Sequence, residues 1–468
     1  MIRIALIYPN KQTSEPGMSL GIGYLASFVS QNKDVDVKVI DTGVSTDKEL
    51  SEFLQDEYDI VGFSITSRTY IEAIKISRKF RQIHPDVPII FGGPHVSIMR
   101  QDILKDPVID LAVYGEGELT LNEIINIIRK ENSISNVEIL GKIEGLIFRN
   151  SDGVVVNPPR PLISDLDALP FPAHHLFPLE RYEGKIPMIT SRGCPYSCSF
   201  CASSQIWSRK WRPRSPKNII DEIKYILNKF GTYPIDFHDD SFNIDLKRVD
   251  TLCDEFIKNN LKVPWGVRGV RADRINKDMA NKMQRAGCTH LAIGVESANP
   301  EILKRIGKKE TIEDIANGIK ILRSAGIKVT GQFMIGNPGE TLETVKESIE
   351  FARGHLNKVF FGTAVPFPNT GLWEYAKEHG HFLVDADCTT FEHIYPRIIF
   401  ETPEFNVQQR LQAIKMVKEA GYPCAGEKEE KTSYFHNLRN KIIYKYLFRF
   451  LPSSISIRIY SLLRRLQT

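Results

Sequence analysis

"PMITSRGCPYSCSFCASS" runs from Pro187 to Ser204. Its opening residues read as a short buried strand, which the turn-forming Gly193 and Pro195 bring to an end. Cys194, Cys198 and Cys201 then fall within eight residues of a chain that has 468 residues and seven cysteines. Pro195 and the polar neighbours make this stretch a loop rather than packed core. Three thiolates are one short of the closed set that structural zinc takes, and no nearby His or Cys supplies a fourth. An incomplete thiolate set suits a four-iron, four-sulfur cluster with one iron left open for a ligand.

Outward from the loop on the carboxyl side, apolar runs recur with helical patterns between them, as at Ile219 to Phe230. After "PMITS" come "PIDFHDD", "WGVRG", "HLAIGVES", "KVTGQFMIG" and "KVFFGTAVPF". Six βα units of this kind predict a partial (β/α)6 barrel, with its chemistry at the carboxyl ends of the strands. The cysteine loop follows the first of those strands.

On the amino side, Pro158, Pro159, Pro161, Pro170, Pro172 and Pro178 mark a join. Ahead of it, "GLIFRNSDGVVVNPPRP" (Gly145 to Pro161) reads as a hairpin with an Asp-Gly turn. The first 130 or so residues alternate five candidate strands with helices: "RIALIYP", "VDVKVID", "YDIVGFSIT", "PIIFGGPH" and "DLAVYGEGE". This pattern predicts an α/β, doubly wound, flavodoxin-like domain that binds ligands at its strand ends. Small and polar residues gather at three of those ends: Ser64, Thr66 and Ser67; Gly92, Gly93, Pro94 and His95; Gly115, Glu116 and Gly117. Glycine lets a backbone approach a ligand closely, so together they point to a planar or phosphate-bearing ligand. Gly21, Gly23 and Ala26 match a dinucleotide fingerprint, but Pro9 to Glu15 separate them from their strand and weaken the match. The expected organisation is residues 1–135 as the flavodoxin-like domain, 136–186 as hairpin and linker, 187–400 as the barrel, and 401–468 as a helical C-terminal region.

Composition excludes several classes. Lys+Arg of 61 against Asp+Glu of 57 argues against a general polyanion binder, and nucleic acid is not expected as a partner. No stretch reaches the ~18 apolar residues of a membrane span. The odd cysteine count, with none before Cys194, argues against a secreted disulfide framework and for the reducing cytoplasm. Cys253, Cys288, Cys388 and Cys424 show no cluster spacing. The final stretch, Tyr434 to Thr468, has no acidic residue and seven basic ones, Arg439, Lys441, Lys445, Arg449, Arg458, Arg464 and Arg465. Leu438, Ile442, Tyr446 and Phe450 recur there at helical spacing, which fits either helices docked on the barrel or a helix lying on the inner membrane face.

Cys194-x-x-x-Cys198-x-Phe200-Cys201 resembles the signature of the radical S-adenosylmethionine (SAM) enzymes. The resemblance spans Pro187 to about Trp373. It implies that the three cysteines hold the cluster, and that the open iron binds the amino and carboxylate groups of SAM, whose cleavage yields a 5′-deoxyadenosyl radical. "FHDDSFN", with Asp239 and Asp240, resembles the segment that contacts the methionine amino group; "IGVES", with Glu296 and Ser297, the segment at the ribose or methionine carboxylate; "GQFMIGNPGET", with Gly336, the adenine segment. Arg212, Arg214, Arg268, Arg271 and Arg274 form a basic set around the same face. The preceding domain makes the whole chain similar to the cobalamin-binding branch of that family, without the D-x-H-x-x-G loop that would give cobalt an axial histidine. The resemblance implies methyl transfer to an unactivated carbon or phosphorus of a small or lipid-like substrate, and an external flavodoxin- or ferredoxin-type electron donor. An oxidative cyclase of the anaerobic chlorophyll-pathway type is the alternative chemistry, and a non-catalytic cobalamin carrier the alternative class.

Overall fold

The computed structural model describes residues 1–11, 17–131, 133–182, 184–383 and 398–424. The basic tail from 434 onward and Cys388 lie outside the described residues. The chain divides into two compact units, one built chiefly from Met1–Tyr182 and the other chiefly from Glu183–Ser204 and Arg209–Val384.

The first unit is a seven-stranded sheet. Its strands are β1 (Ile2–Tyr8), β2 (Val35–Asp41), β3 (Ile60–Ser64), β4 (Ile89–Gly92), β5 (Leu111–Val113), β6 (Leu146–Asn150) and β7 (Gly153–Val156), in the order β2-β1-β3-β4-β5-β6-β7. The first five are parallel, and the order reverses between β1 and β3, as in flavodoxin-like sheets. Ile4, Ile7, Ile60, Val61, Ile89 and Phe91 are fully or almost fully buried, as expected where helices cover both faces. The hairpin read as leading into the linker is instead part of this sheet: β6 pairs antiparallel with β5, and β7 with β6. Leu146, Ile147 and Phe148 are buried there, so the unit's core runs past residue 135. The proline-rich segment returns to the same unit, where the Tyr182 hydroxyl donates to Asp41 at 2.9 Å. Gly21 and Gly23 lie inside the helix Leu20–Val29 rather than in a phosphate-binding turn. A Cβ on Gly23 would come within 2.9 Å of Pro172, so this glycine serves close packing.

The second unit holds six parallel strands: β8 (Ile186–Met188), then, after the short β9 (Ser191–Arg192) and β10 (Arg212–Pro213), β11 (Ile235–Phe237), β12 (Trp265–Val270), β13 (Cys288–Glu296), β14 (Lys328–Ile335) and β15 (Lys358–Thr363). Their order is β15-β14-β13-β12-β11-β8, the open partial barrel expected from the six apolar runs. Short strands β16 (His381–Phe382) and β17 (Phe400–Glu401) pair with each other. Alternation sets the two faces of the barrel. In β13, Leu291, Ile293 and Val295 are fully buried, while His290, Ala292, Gly294 and Glu296 between them are partly exposed. The buried face packs under amphipathic helices such as Pro216–Phe230. Ser215 caps that helix, Pro216 starts it, Ile219, Ile220, Ile223 and Ile226 line its buried side, and Gly231 at φ +89° ends it.

Candidate active site

β9 and β10 pair antiparallel through Arg192↔Arg212 and Ser191↔Pro213, and so close the base of the cysteine loop. Asp239, at the end of β11, fixes the approach to it. Its carboxylate accepts from the backbone N–H of Thr190 at 3.0 Å, from the Thr190 hydroxyl at 2.7 Å, and from the Ser191 hydroxyl. The neighbouring Asp240 accepts from Gly193 N–H at 3.1 Å. The far side of the loop is tied twice: Ser199 N–H donates to Ile306 at 2.9 Å, and Leu372 N–H donates to Ser199 at 2.8 Å. Phe200 packs against the cluster of Ala364, Leu372, Ala376 and Phe400. The loop's path is thus set by four separate elements.

The three cysteines are partly buried and carry no disulfide. Burial pushes all three thiols up, Cys201 to about 12, against the backbone N–H groups of Tyr196 and Ser203, which favour the thiolates of Cys194 and Cys201. Three buried thiolates without a cation are costly, so this donor set calls for a positively charged partner. Among the described residues, no three His, Cys, Asp or Glu side chains gather as the ligands of a single metal ion.

Beside Cys198 lies a network of charges. Glu296 ends β13 with φ +67°, a left-handed conformation that is uncommon for a non-glycine residue. Lys308 Nζ stands 3.6 Å from Glu296 and 3.4 Å from Glu310, and Arg271 stands 3.7 Å from Glu310. Arg271 also lies 3.8 Å over the Tyr196 ring and donates to the carbonyls of Lys308 and Lys309. Burial pushes the Glu296 carboxyl up, and Lys308 partly offsets it. Burial alone would lower Lys308, but Glu296 and Glu310 hold it charged. Ser297 is fully buried, and its hydroxyl accepts from Asn299 N–H at 3.2 Å. Gly336, at φ +105°, opens the turn after β14 and donates to Glu340 at 2.5 Å. A Cβ there would meet the Arg410 guanidinium at 2.5 Å. Burial pushes Glu340 to about 7, despite the N–H donors of Gly336 and Asn337.

The basic set read from the sequence does not act as one group. Arg214 is buried against Glu222, Arg274 donates to the carbonyls of Asn243 and Ile244, and Arg212 sits in the β9–β10 ladder. Arg268 keeps a half-exposed side chain. Lys308, Glu310 and Arg410 were not singled out from the sequence, and the local segments "GKKE" and "QQRLQ" carry no pattern that marks them as buried.

In the first unit, the loops after β3, β4 and β5 are stitched into one rim. Ile65 N–H donates to Gly92 and His95 N–H to Ile65, while Gly115 N–H donates to the Ser97 hydroxyl. Thr66 N–H donates to the Thr69 hydroxyl. Gly93, at φ +97°, fits only without a side chain, since a Cβ would lie 2.8 Å from the Ile65 carbonyl. Ser64 faces Gly21, whose Cβ position lies 3.7 Å from its hydroxyl, at the point where the strand order reverses. His95 is buried, with Nδ1 2.9 Å from the Ser67 hydroxyl and its ring 4.9 Å from Tyr70. Burial lowers His95 to about 3, so it is neutral. Glu116 is buried and accepts from Ile163 N–H at 2.8 Å. The glycine-rich rim lies beside the point where the strand order reverses, which is where doubly wound sheets bind their ligands.

Comparison with known proteins agrees with both halves. Residues 188–352 match the model of the radical SAM superfamily, and residues 13–125 match that of the B12 binding domain. A Pyrococcus horikoshii protein described as an uncharacterized methyltransferase is 33% identical over 392 residues, covering 80% of this chain and 83% of its own. An anaerobic magnesium-protoporphyrin IX monomethyl ester cyclase from Rubrivivax gelatinosus is 28% identical over 392 residues, covering 80% and 70%. The fold matches that of TsrM, a radical SAM methyltransferase from Kitasatospora setae, with TM-score 0.72, 19% identity, and 90% and 89% of the two chains covered. The cofactors are accordingly a four-iron, four-sulfur cluster, S-adenosylmethionine and cobalamin. The chain belongs to the radical SAM enzymes that carry a cobalamin-binding domain.

Proposed function

We propose that this enzyme methylates an unactivated carbon, or phosphorus, of a small or lipid-like substrate. The observation that carries this reading is the 33%-identical relative described as a methyltransferase, which shares most of both chains. When bound, the cluster with SAM supplies a 5′-deoxyadenosyl radical, and cobalamin supplies the methyl group. The protein's part is to hold and orient. Cys194, Cys198 and Cys201 would each ligate an iron. Glu296, Ser297 and the turn at Gly336 would position SAM, with Lys308 beside Glu296 favouring its charged form against burial. Asp239, with all its contacts directed to Thr190 and Ser191, acts as a pin for the loop, and Asp240 is the more exposed of the pair. Ser64, Thr66, Gly92, Gly93, His95, Gly115 and Glu116 form or support the rim that would receive the corrin. An external electron donor of flavodoxin or ferredoxin type would reduce the cluster.

The test is anaerobic incubation of reconstituted protein with cell extract, cobalamin and SAM labelled in its methyl group. Methyl transfer yields a product one labelled methyl heavier, together with 5′-deoxyadenosine and S-adenosylhomocysteine. The 28%-identical cyclase supports a second reading, oxidative ring formation, which would give 5′-deoxyadenosine and a product that carries no label. Replacing Cys194, Cys198 and Cys201 together with Ala should abolish iron binding and 5′-deoxyadenosine formation alike; a triple variant that still cleaved SAM would refute the mechanism.

A further inference from the structure

The helix Pro300–Arg305 follows β13 and ends beside the cysteine loop. Gly307, at φ +67°, turns the chain there, and Lys308 N–H donates back to the Leu303 carbonyl at 3.1 Å. This turn sorts the cations of "KRIGKK" (Lys304 to Lys309). Lys308 is buried between Glu296 and Glu310, whereas Lys304, Arg305 and Lys309 stay exposed. Arg305 folds over the Gly339 turn, where its guanidinium fills the place that a Cβ would take. Lys304 and Lys309 have no ion-pair partner among the described residues. A helix C-terminus accounts for Lys304 and Arg305, since cations there meet the carbonyl end of the dipole. It does not account for Lys309, which lies beyond the helix at φ +55°. The carbonyls of Lys308 and Lys309 both accept from Arg271, which also lies over the Tyr196 ring of the cysteine loop. Ile306 accepts from Ser199 N–H, one residue from Cys198. The segment 304–309 is thus fastened along one flank of the loop, and its two lysines remain exposed. The other end of the loop is held by carboxylates, Asp240 at Gly193 and Asp239 at Thr190 and Ser191.

We propose that this flank docks the protein that reduces the cluster, an acidic one-electron carrier whose carboxylates meet Lys304 and Lys309. The inference rests on the reading that an external donor supplies the electron. In the step, one electron leaves the carrier and enters the cluster. The carrier is oxidised by one electron, the cluster is reduced by one, and no bond or proton is transferred. The encounter has to be brief, because the spent carrier must leave before the next turnover. Transient redox contacts are small, and opposite charge steers them rather than a large apolar face. This segment has that character: two exposed lysines, and none of the large exposed apolar side chains found among the described residues. Charge also selects the flank, since an acidic partner is drawn to the lysines rather than to the end of the loop that carries Asp239 and Asp240. The cysteines are only partly buried, so a partner seated here lies close to the metal site.

Two measurements on the anaerobically reconstituted holoprotein test this, with an acidic ferredoxin as the carrier and reduced methyl viologen as a small cationic reductant. Carbodiimide joins lysine amines to carboxylates in contact. It should couple Lys304 or Lys309 to the ferredoxin, as located by peptide mass spectrometry. Stopped-flow bleaching of the cluster should give a rate constant with reduced ferredoxin that falls as salt is added. Reversing both charges, Lys304→Glu with Lys309→Glu, should slow reduction by ferredoxin about tenfold at low salt and leave the methyl viologen rate undiminished. Lys304→Arg with Lys309→Arg, which keeps both charges, should retain the wild-type rate. Iron content establishes that each variant holds its cluster. Ferredoxin rates that are equal in wild type and the charge-reversed variant, a fall shared by both reductants, or cross-links confined to other lysines would each overturn the inference. Wild-type holoprotein that methyl viologen reduces and ferredoxin does not would instead refute the reading of an external protein donor.

Discussion

Glu340 is 1% exposed and accepts from the N–H groups of both Gly336 and Asn337, yet its carboxyl stays near 7 because burial outweighs those donors. A carboxyl whose folded value exceeds its unfolded one binds protons more tightly when folded. Its stabilising effect is complete below the unfolded value, about 4.3, and is lost as pH rises through 7. Lowering pH from 8 to 6 should therefore raise the free energy of unfolding by an amount on the order of 1–2 kcal/mol, seen as a higher thermal midpoint, and the gain should vanish in Glu340→Gln. Lys308 gives a second residue-level test. Lys308→Met leaves Glu296 without its cation and Glu310 with Arg271 alone, so denaturant unfolding should show a loss of about 3 kcal/mol. Adding Glu296→Gln should recover much of it, because the double variant no longer buries that unpaired charge.

At the scale of elements, strands and loops differ in what they reveal before folding. Runs such as "VDVKVID" and "HLAIGV" carry apolar residues at alternate positions because one face of each strand is buried, so they show directly in the sequence, and β2 coincides with its run. The cysteine spacing was equally plain, because few other structures need three thiols on one short loop. The hairpin was misplaced for a physical reason: a free hairpin and one added antiparallel to a parallel sheet have the same alternation and the same Asp-Gly turn. Lys308 and Arg410 were hidden because their burial depends on partners distant in sequence, Glu296 and the Gly336 turn. Gly93 links element geometry to the rim. Gly93→Ala adds both a positive-φ penalty and a clash with the Ile65 carbonyl, together about 2 kcal/mol or more. Corrinoid retention after gel filtration should fall sharply in that variant while the iron content of the barrel is unchanged.

For the whole molecule, the position of β6 and β7 determines where the first unit can be cut. A fragment ending at residue 135 would expose the edge of β5 and lose the buried Leu146, Ile147 and Phe148. A fragment of residues 1–182 keeps them, along with the Tyr182–Asp41 bond. The longer fragment should sediment as a monomer and bind cobalamin with no nitrogen hyperfine splitting from an axial base, and the shorter should aggregate. No helix among the described residues is long and apolar enough to cross a membrane. The seven basic residues after 434 still make salt-sensitive adhesion to anionic vesicles testable. Co-sedimentation that survives both high salt and deletion of 434–468 would rule out the tail as its cause.

The small β9–β10 ladder has a consequence for metal exchange. By pairing Arg192 with Arg212 it joins the two ends of the cysteine loop through backbone bonds that do not involve the cysteines. Loop-closure entropy, about 2–3 kcal/mol for a ring of this size, is then charged to folding rather than to metal uptake. Cluster loss should behave as ligand dissociation rather than as unfolding. Protein stripped by oxidant and chelator should keep the emission of its buried Trp265 and refill with iron and sulfide, with no denaturation step between.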